Sequence, residues 1–165
     1  MKRHDARRRT LLALSVLPML PVLPVLASSA RHAPAFEPDT FRRIVAAGAG
    51  RPLVVHLWGL TCAPCIEELP RWSEFVRRHA DANIVFVQVD PMPPERVAAV
   101  LRRAGLEHAR NWSARAPVDE RWRYRIDPDW AGELPRTLLI AADGRRAAIS
   151  GQVGFERLRA WLGQG

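Results

Sequence analysis

The chain has 165 residues, of which 48% are hydrophobic, and a formal net charge of +8 at pH 7. This length is enough for one domain with a hydrophobic core, and the sequence contains no repeats and no low-complexity linker. The positive charge comes almost entirely from scattered arginines, which is typical of a solvated surface and does not indicate nucleic-acid binding; a modest preference for acidic clients or anionic membranes is the alternative.

The first 30 residues have the composition of a secretory signal. Five cations and one anion precede an apolar stretch over 11–27, which ends in the small residues Ala27-Ser28-Ser29-Ala30. Arg8-Arg9 and the residues after it resemble a twin-arginine signal, which implies export of the folded protein. Three prolines weaken the case for an uncleaved membrane anchor, which needs about 20 apolar residues. We predict a signal peptide or N-terminal membrane anchor at 1–30, with cleavage favoured, and one periplasmic domain at 31–165.

Strands and helices alternate along this domain. Apolar, β-branched runs predict buried strands at 53–58 and 83–89, and the helix between them implies a parallel pair with a right-handed crossover. The turn signal Ala142-Asp143-Gly144-Arg145 predicts a β-hairpin. The predicted helices are 38–47, 63–79, 94–104, 118–124 and 155–162, and the remaining predicted strands are 110–112, 137–141 and 147–151.

The two cysteines, Cys62 and Cys65, stand where the strand 53–58 runs into the helix 63–79. Unpaired backbone N–H groups and the helix dipole favour a thiolate at a helix N-terminus, so Cys62 is the predicted nucleophile. Cys65, one turn into the helix, is expected to face inward and to resolve a mixed disulfide by attacking Cys62. Pro64 between them fixes a helical φ and has no N–H to leave unpaired. This pattern predicts redox chemistry.

Two other roles for the cysteine pair fit the sequence less well. A structural zinc site needs four ligands, and the five histidines of the chain show no H-x3-5-H spacing. A purely structural disulfide would close a very small loop and so constrain the unfolded chain little. We therefore expect no metal and no cofactor.

The sequence around the cysteines resembles a known family. Trp58 to Pro70 fits the pattern W-x3-C-x-P-C-x2-E-x-P and is similar to the active-site segment of thioredoxin-fold proteins, specifically the TlpA/ResA-like exported thiol-disulfide oxidoreductases. Gly132 to Ile140 resembles the cis-proline loop of these proteins and the strand that follows it. The resemblance covers roughly residues 36–163. It implies a thioredoxin-like α/β fold, in which a mixed central sheet is flanked by helices on both faces.

The chain departs from thioredoxins at two positions. His56 stands where thioredoxins carry a buried aspartate, on the strand beneath the cysteines. A neutral imidazole there could shuttle a proton to or from Cys65, and an imidazolium would stabilise a thiolate; a core histidine bonded to backbone is the other interpretation. Thr61 replaces the tryptophan that usually precedes the nucleophile, and we expect it to open or reshape the rim of the site.

A glutamate in the helix is a further candidate for the site. Glu68 lies three residues beyond Cys65 and so shares a helix face with it, and by resemblance it is the family's glutamate near the redox centre. Its carboxylate could accept the proton of the resolving thiol if burial raises its pKa. The alternative is a solvated helix residue, which is what we expect for the neighbouring Glu67.

The resemblance also implies a client-binding groove beside the cysteines. Pro135 is expected to be cis and to face the disulfide, which leaves the backbone of Leu134 open to a client strand. Trp58 and Pro64 are expected to line the same groove. Trp130 is a weaker candidate for its wall, because a tryptophan is as often a core residue.

The function implied by this resemblance is that of an exported thiol-disulfide oxidoreductase. We expect it to reduce client proteins that carry cysteines or disulfides, in cytochrome c maturation or copper-site assembly, with electrons from a membrane thiol donor. A periplasmic oxidant or isomerase would use the same residues. A Cu(I)-binding thioredoxin-fold chaperone would hold the metal with Cys62, Cys65 and His56. We expect a monomer without nucleic-acid partners, and a tether to the membrane stays open.

Overall fold

The computed structural model describes residues 32–163 of the chain. The predicted signal peptide or anchor lies outside the described residues. Within them the helices are α1 (Thr40–Ala47), α2 (Ala63–Arg78), α3 (Pro94–Ala104), α4 (Glu120–Ile126) and α5 (Phe155–Leu162). The strands are β1 (Ala35–Phe36), β2 (Leu53–Trp58), β3 (Asn83–Gln88), β4 (Arg110–Ala114), β5 (Arg136–Ile140) and β6 (Arg146–Ser150). None of the helices in this part of the chain has the length and apolarity needed to cross a bilayer.

The strands form one mixed sheet in the order β1-β4-β3-β2-β5-β6. β1, β4, β3 and β2 run parallel to one another, whereas β5 pairs antiparallel with both β2 and β6. The predicted parallel pair and the predicted hairpin are both confirmed. The sequence does not predict β1, because the two residues Ala35 and Phe36 are too few to show an alternating pattern.

Alternate side chains of β2 enter two hydrophobic cores, one on each face of the sheet. Leu53, Val55 and Leu57 face the core that α1 and α4 cover, whereas Val54 and Trp58 face the core that α2, α3 and α5 cover. Large members of the first core include Phe36, Phe41, Trp122 and Ile126, and large members of the second include Leu69, Trp72, Phe86, Leu101 and Leu158. Helices therefore flank both faces of the sheet, as expected.

A capping side chain and a strand pairing move two element boundaries away from the predicted ones. The side chain of Asp119 accepts a hydrogen bond from Trp122 N–H at 2.8 Å, so α4 begins after it. The helix ends at Ile126, two residues beyond the predicted end. The predicted strand 110–112 extends to Ala114, because Ala114 pairs with Phe36 of β1. Neither contact follows a local periodicity, which is why the bounds within 106–129 are the hardest to predict.

Candidate functional site

The cysteines are joined by a disulfide at the N-terminus of α2. Their Cα atoms lie 5.2 Å apart. Cys62 is half-buried, whereas Cys65 is 0% exposed. Of the two residues, only Cys62 offers surface to an incoming sulfur, which is the asymmetry expected of a nucleophilic and a resolving cysteine.

The start of α2 is arranged to favour negative charge on the outer sulfur. Cys62 is the N-cap of the helix, and Cys65 N–H donates to Cys62 Sγ at 3.2 Å. Pro64, in the first turn, has no N–H, and its carbonyl accepts a hydrogen bond from the Gln152 side chain at 3.2 Å. The first turn carries no acidic residue. The helix dipole and the Cys65 amide would thus stabilise a thiolate at Cys62 once the disulfide is reduced.

The turn between β2 and Cys62 is bound by Asp90, a residue outside the predicted site. Asp90, which follows β3, accepts hydrogen bonds from Leu60 N–H and Thr61 N–H, each at 3.0 Å, and from the Thr61 hydroxyl at 3.1 Å. A usable signal existed, because residues that follow two adjacent parallel strands meet at the same edge of the sheet. Thr61 is exposed, and both its amide and its hydroxyl bond to this carboxylate.

A buried pair of titratable side chains lies on the Cys65 side of the sheet. His56 and Glu68 are both 0% exposed, and His56 Nε2 lies 3.7 Å from Glu68 Oε2. These two atoms have no hydrogen-bond partner among the described residues. The other ring nitrogen, Nδ1, lies 2.9 Å from Thr137 Oγ1, and Glu68 Oε1 accepts a hydrogen bond from Val153 N–H. Glu68 is thus a core residue, not the solvated helix residue of the alternative, whereas Glu67 is exposed as expected.

Burial shifts the titration of this pair in opposite directions. It lowers the pKa of His56 to about 3, so the imidazole is neutral at physiological pH. This favours a neutral imidazole over an imidazolium at His56, and its hydrogen-bond partner is the Thr137 side chain, not backbone. Burial raises the pKa of Glu68, and the hydrogen bond from Val153 N–H partly opposes that rise. A carboxylate whose pKa is raised binds a proton more readily than a solvated one, which suits a proton acceptor.

The predicted proline loop has the expected backbone geometry. The Leu134–Pro135 peptide bond is cis. Pro135 is buried, and Leu134 is half-buried and packs with the hydrophobic cluster that includes Cys62. The ladder between β5 and β2 begins at Arg136, so the backbone of Leu134 lies ahead of it. This position is the one expected for an edge that accepts a client strand.

A buried arginine that no sequence motif indicates holds this loop. Arg136, 6% exposed, makes ion pairs of 2.6 Å with Asp127 and with Glu133. It also donates to the Ser150 hydroxyl at 2.6 Å. Trp130 Nε1 donates to the Glu133 carbonyl at 2.8 Å, which closes the segment before the proline. These contacts fix the backbone on both sides of Pro135.

The two candidate tryptophans lie in different cores. Trp58 is 1% exposed and packs in the core that contains Cys65. Trp130 is 4% exposed and packs in the core on the opposite face of the sheet. Neither ring faces solvent, so in this conformation both are core residues and do not line a groove. Pro64 is exposed beside Cys62, where a groove residue is expected.

Comparisons with known proteins identify the fold. No protein-family model matches the chain, and a search of curated proteins found no match. A secreted Mycobacterium tuberculosis disulfide oxidoreductase, described as homologous to E. coli DsbE, is 18% identical with a TM-score of 0.59, over 73% of this chain and 86% of that one. StoA from Bacillus subtilis is 20% identical with a TM-score of 0.52, over 68% of this chain and 83% of that one.

A third structure covers more of the chain. It is a thiol:disulfide interchange protein of the thioredoxin family from Chlorobium tepidum, 16% identical with a TM-score of 0.58, over 83% of this chain and 98% of that one. At these identities the likenesses establish the fold alone. The fold of this chain is thioredoxin-like.

Proposed function

We propose that the protein is an exported thiol-disulfide oxidoreductase that reduces disulfides of client proteins, in the manner of the TlpA/ResA-like family. The observation that carries this proposal is the disulfide across the N-terminus of α2, in which Cys62 is partly exposed and Cys65 is fully buried. A structural crosslink gives no reason for this asymmetry. The buried carboxyl of Glu68 in the same helix supports a role that includes proton transfer.

The first step is attack by Cys62 on a client disulfide. With both cysteines reduced, the Cys62 thiolate attacks one client sulfur, the client disulfide breaks, and one client thiolate leaves. A mixed disulfide then joins Cys62 to the second client sulfur. The amide of Cys65 and the helix N-terminus stabilise the attacking thiolate before this step.

The second step releases the client. The Cys65 thiol loses its proton to Glu68, whose raised pKa suits it as an acceptor. The Cys65 thiolate attacks Cys62 Sγ, the Cys62–Cys65 disulfide forms, and the second client thiolate leaves. The client has gained two electrons, and its two thiolates take up protons from solvent, to which Glu68 later releases the proton that it received. His56 is neutral and faces Glu68 Oε2, so its Nε2 can share the proton that Glu68 takes up.

The client strand is expected beside the cis-proline loop. Leu134 offers backbone ahead of the β5 ladder, and its side chain belongs to the cluster that includes Cys62. Pro64 forms the exposed rim on the other side of Cys62. Main-chain hydrogen bonds would give affinity for an extended segment with little sequence preference.

The direction of transfer and the biological partners follow from the resemblance. A reductant in an oxidising compartment needs a continuous supply of electrons, and we propose a membrane protein with a reactive dithiol as the donor. Its clients would be proteins of cytochrome c maturation or copper-site assembly. The predicted signal at 1–30 supports a location in the periplasm, where the protein would be free or tethered to the inner membrane.

Two other functions remain to be separated from this one. An oxidant or isomerase would use the same residues and differ only in reduction potential. A Cu(I) chaperone is disfavoured by geometry, because the two ring nitrogens of His56 face Thr137 and Glu68 and not the cysteines. Among residues 32–163, no group of three or more potential ligands lies close enough to hold a metal ion.

The reduction potential of Cys62–Cys65 is the decisive measurement. The purified protein is equilibrated with dithiothreitol or glutathione redox buffers, and the fraction of free thiol is counted after alkylation. A value near or below about −250 mV supports the reductase. A value between about −120 and −180 mV overturns it in favour of an oxidant or isomerase.

A further inference from the structure

The turn that ends at Cys62 is bound to a single carboxylate. Asp90 Oδ1 accepts from Leu60 N–H at 3.0 Å, and Oδ2 accepts from Thr61 N–H at 3.0 Å and from the Thr61 hydroxyl at 3.1 Å. Cys62 N–H donates to the Gly59 carbonyl at 3.4 Å and closes the turn. Both oxygens of Asp90 therefore hold the two residues that directly precede the predicted nucleophile.

The packing at Gly59 allows the carboxylate to come this close. A Cβ atom at Gly59 would lie 3.1 Å from Asp90 Oδ1 and 3.2 Å from Leu134 Cδ1, both closer than ordinary contact. The glycine thus leaves room for Asp90 on one side and for the residue before the cis-proline on the other. The turn, Asp90 and Leu134 form one packed unit around the start of α2.

Asp90 is itself oriented from within the sheet. The side-chain amide of Gln88 donates both to the Asp90 carboxylate and to the Asp90 carbonyl. Gln88 Oε1 accepts from the Ser113 hydroxyl at 2.6 Å, and both Gln88 and Ser113 are 0% exposed. Buried hydrogen-bonded networks of this kind are costly to leave incomplete, so they fix side-chain orientation. Two neighbouring strands, β3 and β4, therefore set where the carboxylate lies.

These contacts carry an inference that rests on the proposed function and deepens it. We infer that Asp90 is the positioning residue for Cys62, acting through the Leu60–Thr61 turn. The carboxylate does not react; it holds the turn so that Cys62 Sγ projects in line with an incoming disulfide. Thr61 belongs to the same device, because its hydroxyl supplies a third donor to Asp90. Misplacement of a reacting atom by about 1 Å can cost about a hundredfold in rate.

The test compares variants by the reactivity of the thiolate itself. The second-order rate constant of the reduced protein with an aromatic disulfide reagent is measured from acid to alkaline pH, which yields both the pKa of Cys62 and the rate constant of its thiolate. We expect Asp90→Ala to lower the thiolate rate constant at least about tenfold. Asp90→Asn, which keeps one acceptor oxygen, and Thr61→Val, which loses only the hydroxyl donor, are expected to fall in between. Asp81→Ala, at an exposed aspartate away from the turn, is the matched control.

The outcomes separate positioning from mere stabilisation. A carboxylate that only stabilises the fold would lower the unfolding midpoint and leave the thiolate rate constant of the folded protein unchanged. That result in Asp90→Asn and Thr61→Val overturns the inference even if Asp90→Ala fails to fold. A wild-type protein that does not exchange with the reagent at any pH would instead overturn the proposed function, and the inference with it.

Discussion

Glu68 Oε2 lies 3.7 Å from His56 Nε2, and both side chains are completely buried on the face of the sheet that carries Cys65. A charged carboxylate and a charged imidazole would each be costly there, and burial accordingly raises the pKa of Glu68 and lowers that of His56. Burial therefore makes the Glu68 carboxylate a stronger proton acceptor than a solvated one, beside an imidazole that is neutral. Such a carboxylate is suited to take up the single proton that a resolving thiol must release.

Glu68→Gln should slow the release of the client. The amide can still accept the hydrogen bond from Val153 N–H, so the fold is expected to survive, but it cannot take a proton from Cys65. We expect resolution of a mixed disulfide on Cys62 to slow by about a hundredfold near neutral pH, which is within the range for losing a general base. The measurement is the lifetime of the mixed disulfide in single-turnover experiments.

The exposed neighbour Glu67 provides the matched control for that measurement. Glu67→Gln should leave the lifetime unchanged, since this side chain lies outside the buried site. Equal lifetimes for wild type and Glu68→Gln would return Glu68 to a purely structural role.

His56→Asn should change how stability depends on pH. Between about pH 3 and 6.5 the unfolded chain binds a proton at this histidine that the folded protein does not, so this residue makes the free energy of unfolding rise with pH. Within this range His56 alone raises the free energy of unfolding by about 1.4 kcal/mol per pH unit. Above its ordinary pKa of 4.5, Glu68 makes the free energy of unfolding fall with pH, because the folded state then holds a proton that the unfolded chain has lost.

The comparison of wild type with His56→Asn isolates the histidine. The difference in free energy of unfolding, from urea titrations between pH 4 and 8, should increase with pH up to about 6.5 and then stay constant. His108→Asn, at an exposed histidine, is the matched control for the same measurement. Parallel pH profiles for wild type and His56→Asn would show that burial does not suppress the charge of this imidazole.

The sequence could predict elements whose pattern is local. The periodicities of β2, α2 and α3 give their bounds to within a residue or two, and the helical spacing of Cys65 and Glu68 gives their shared buried face. Contacts between distant residues could not be predicted in the same way. Thr61 and Asp90 are 29 residues apart, and Glu68 and Val153 are 85 apart, so these pairs depend on the order of strands in the sheet.

Serine substitutions should separate the roles of the two cysteines. Cys65→Ser leaves the accessible thiol and removes the one that resolves, so it should accumulate mixed disulfides with client proteins. Cys62→Ser leaves only a fully buried thiol and should accumulate none. The measurement is non-reducing electrophoresis of the exported protein after acid quenching. Equal trapping by both variants would overturn the assignment of Cys62 as nucleophile.

Arg136→Met should destabilise the proline loop and impair exchange with protein clients. The substitution keeps an apolar stem and removes the partner of Asp127 and Glu133, and Asp127 is then left nearly buried with an unpaired charge. Losing one member of such a pair costs about 3 kcal/mol in free energy of unfolding. Because Arg136 directly follows Pro135, we also expect Arg136→Met to slow the reaction with a folded client more than it slows the reaction with a small disulfide reagent.

Arg145→Met breaks an exposed pair with Asp143 on the same hairpin and is the matched control. It is expected to leave both the unfolding midpoint and the client reaction close to wild type. Urea unfolding and the ratio of the two exchange rates test this, and an Arg136→Met protein with a wild-type ratio would mean that the arginine does not shape the client-binding edge.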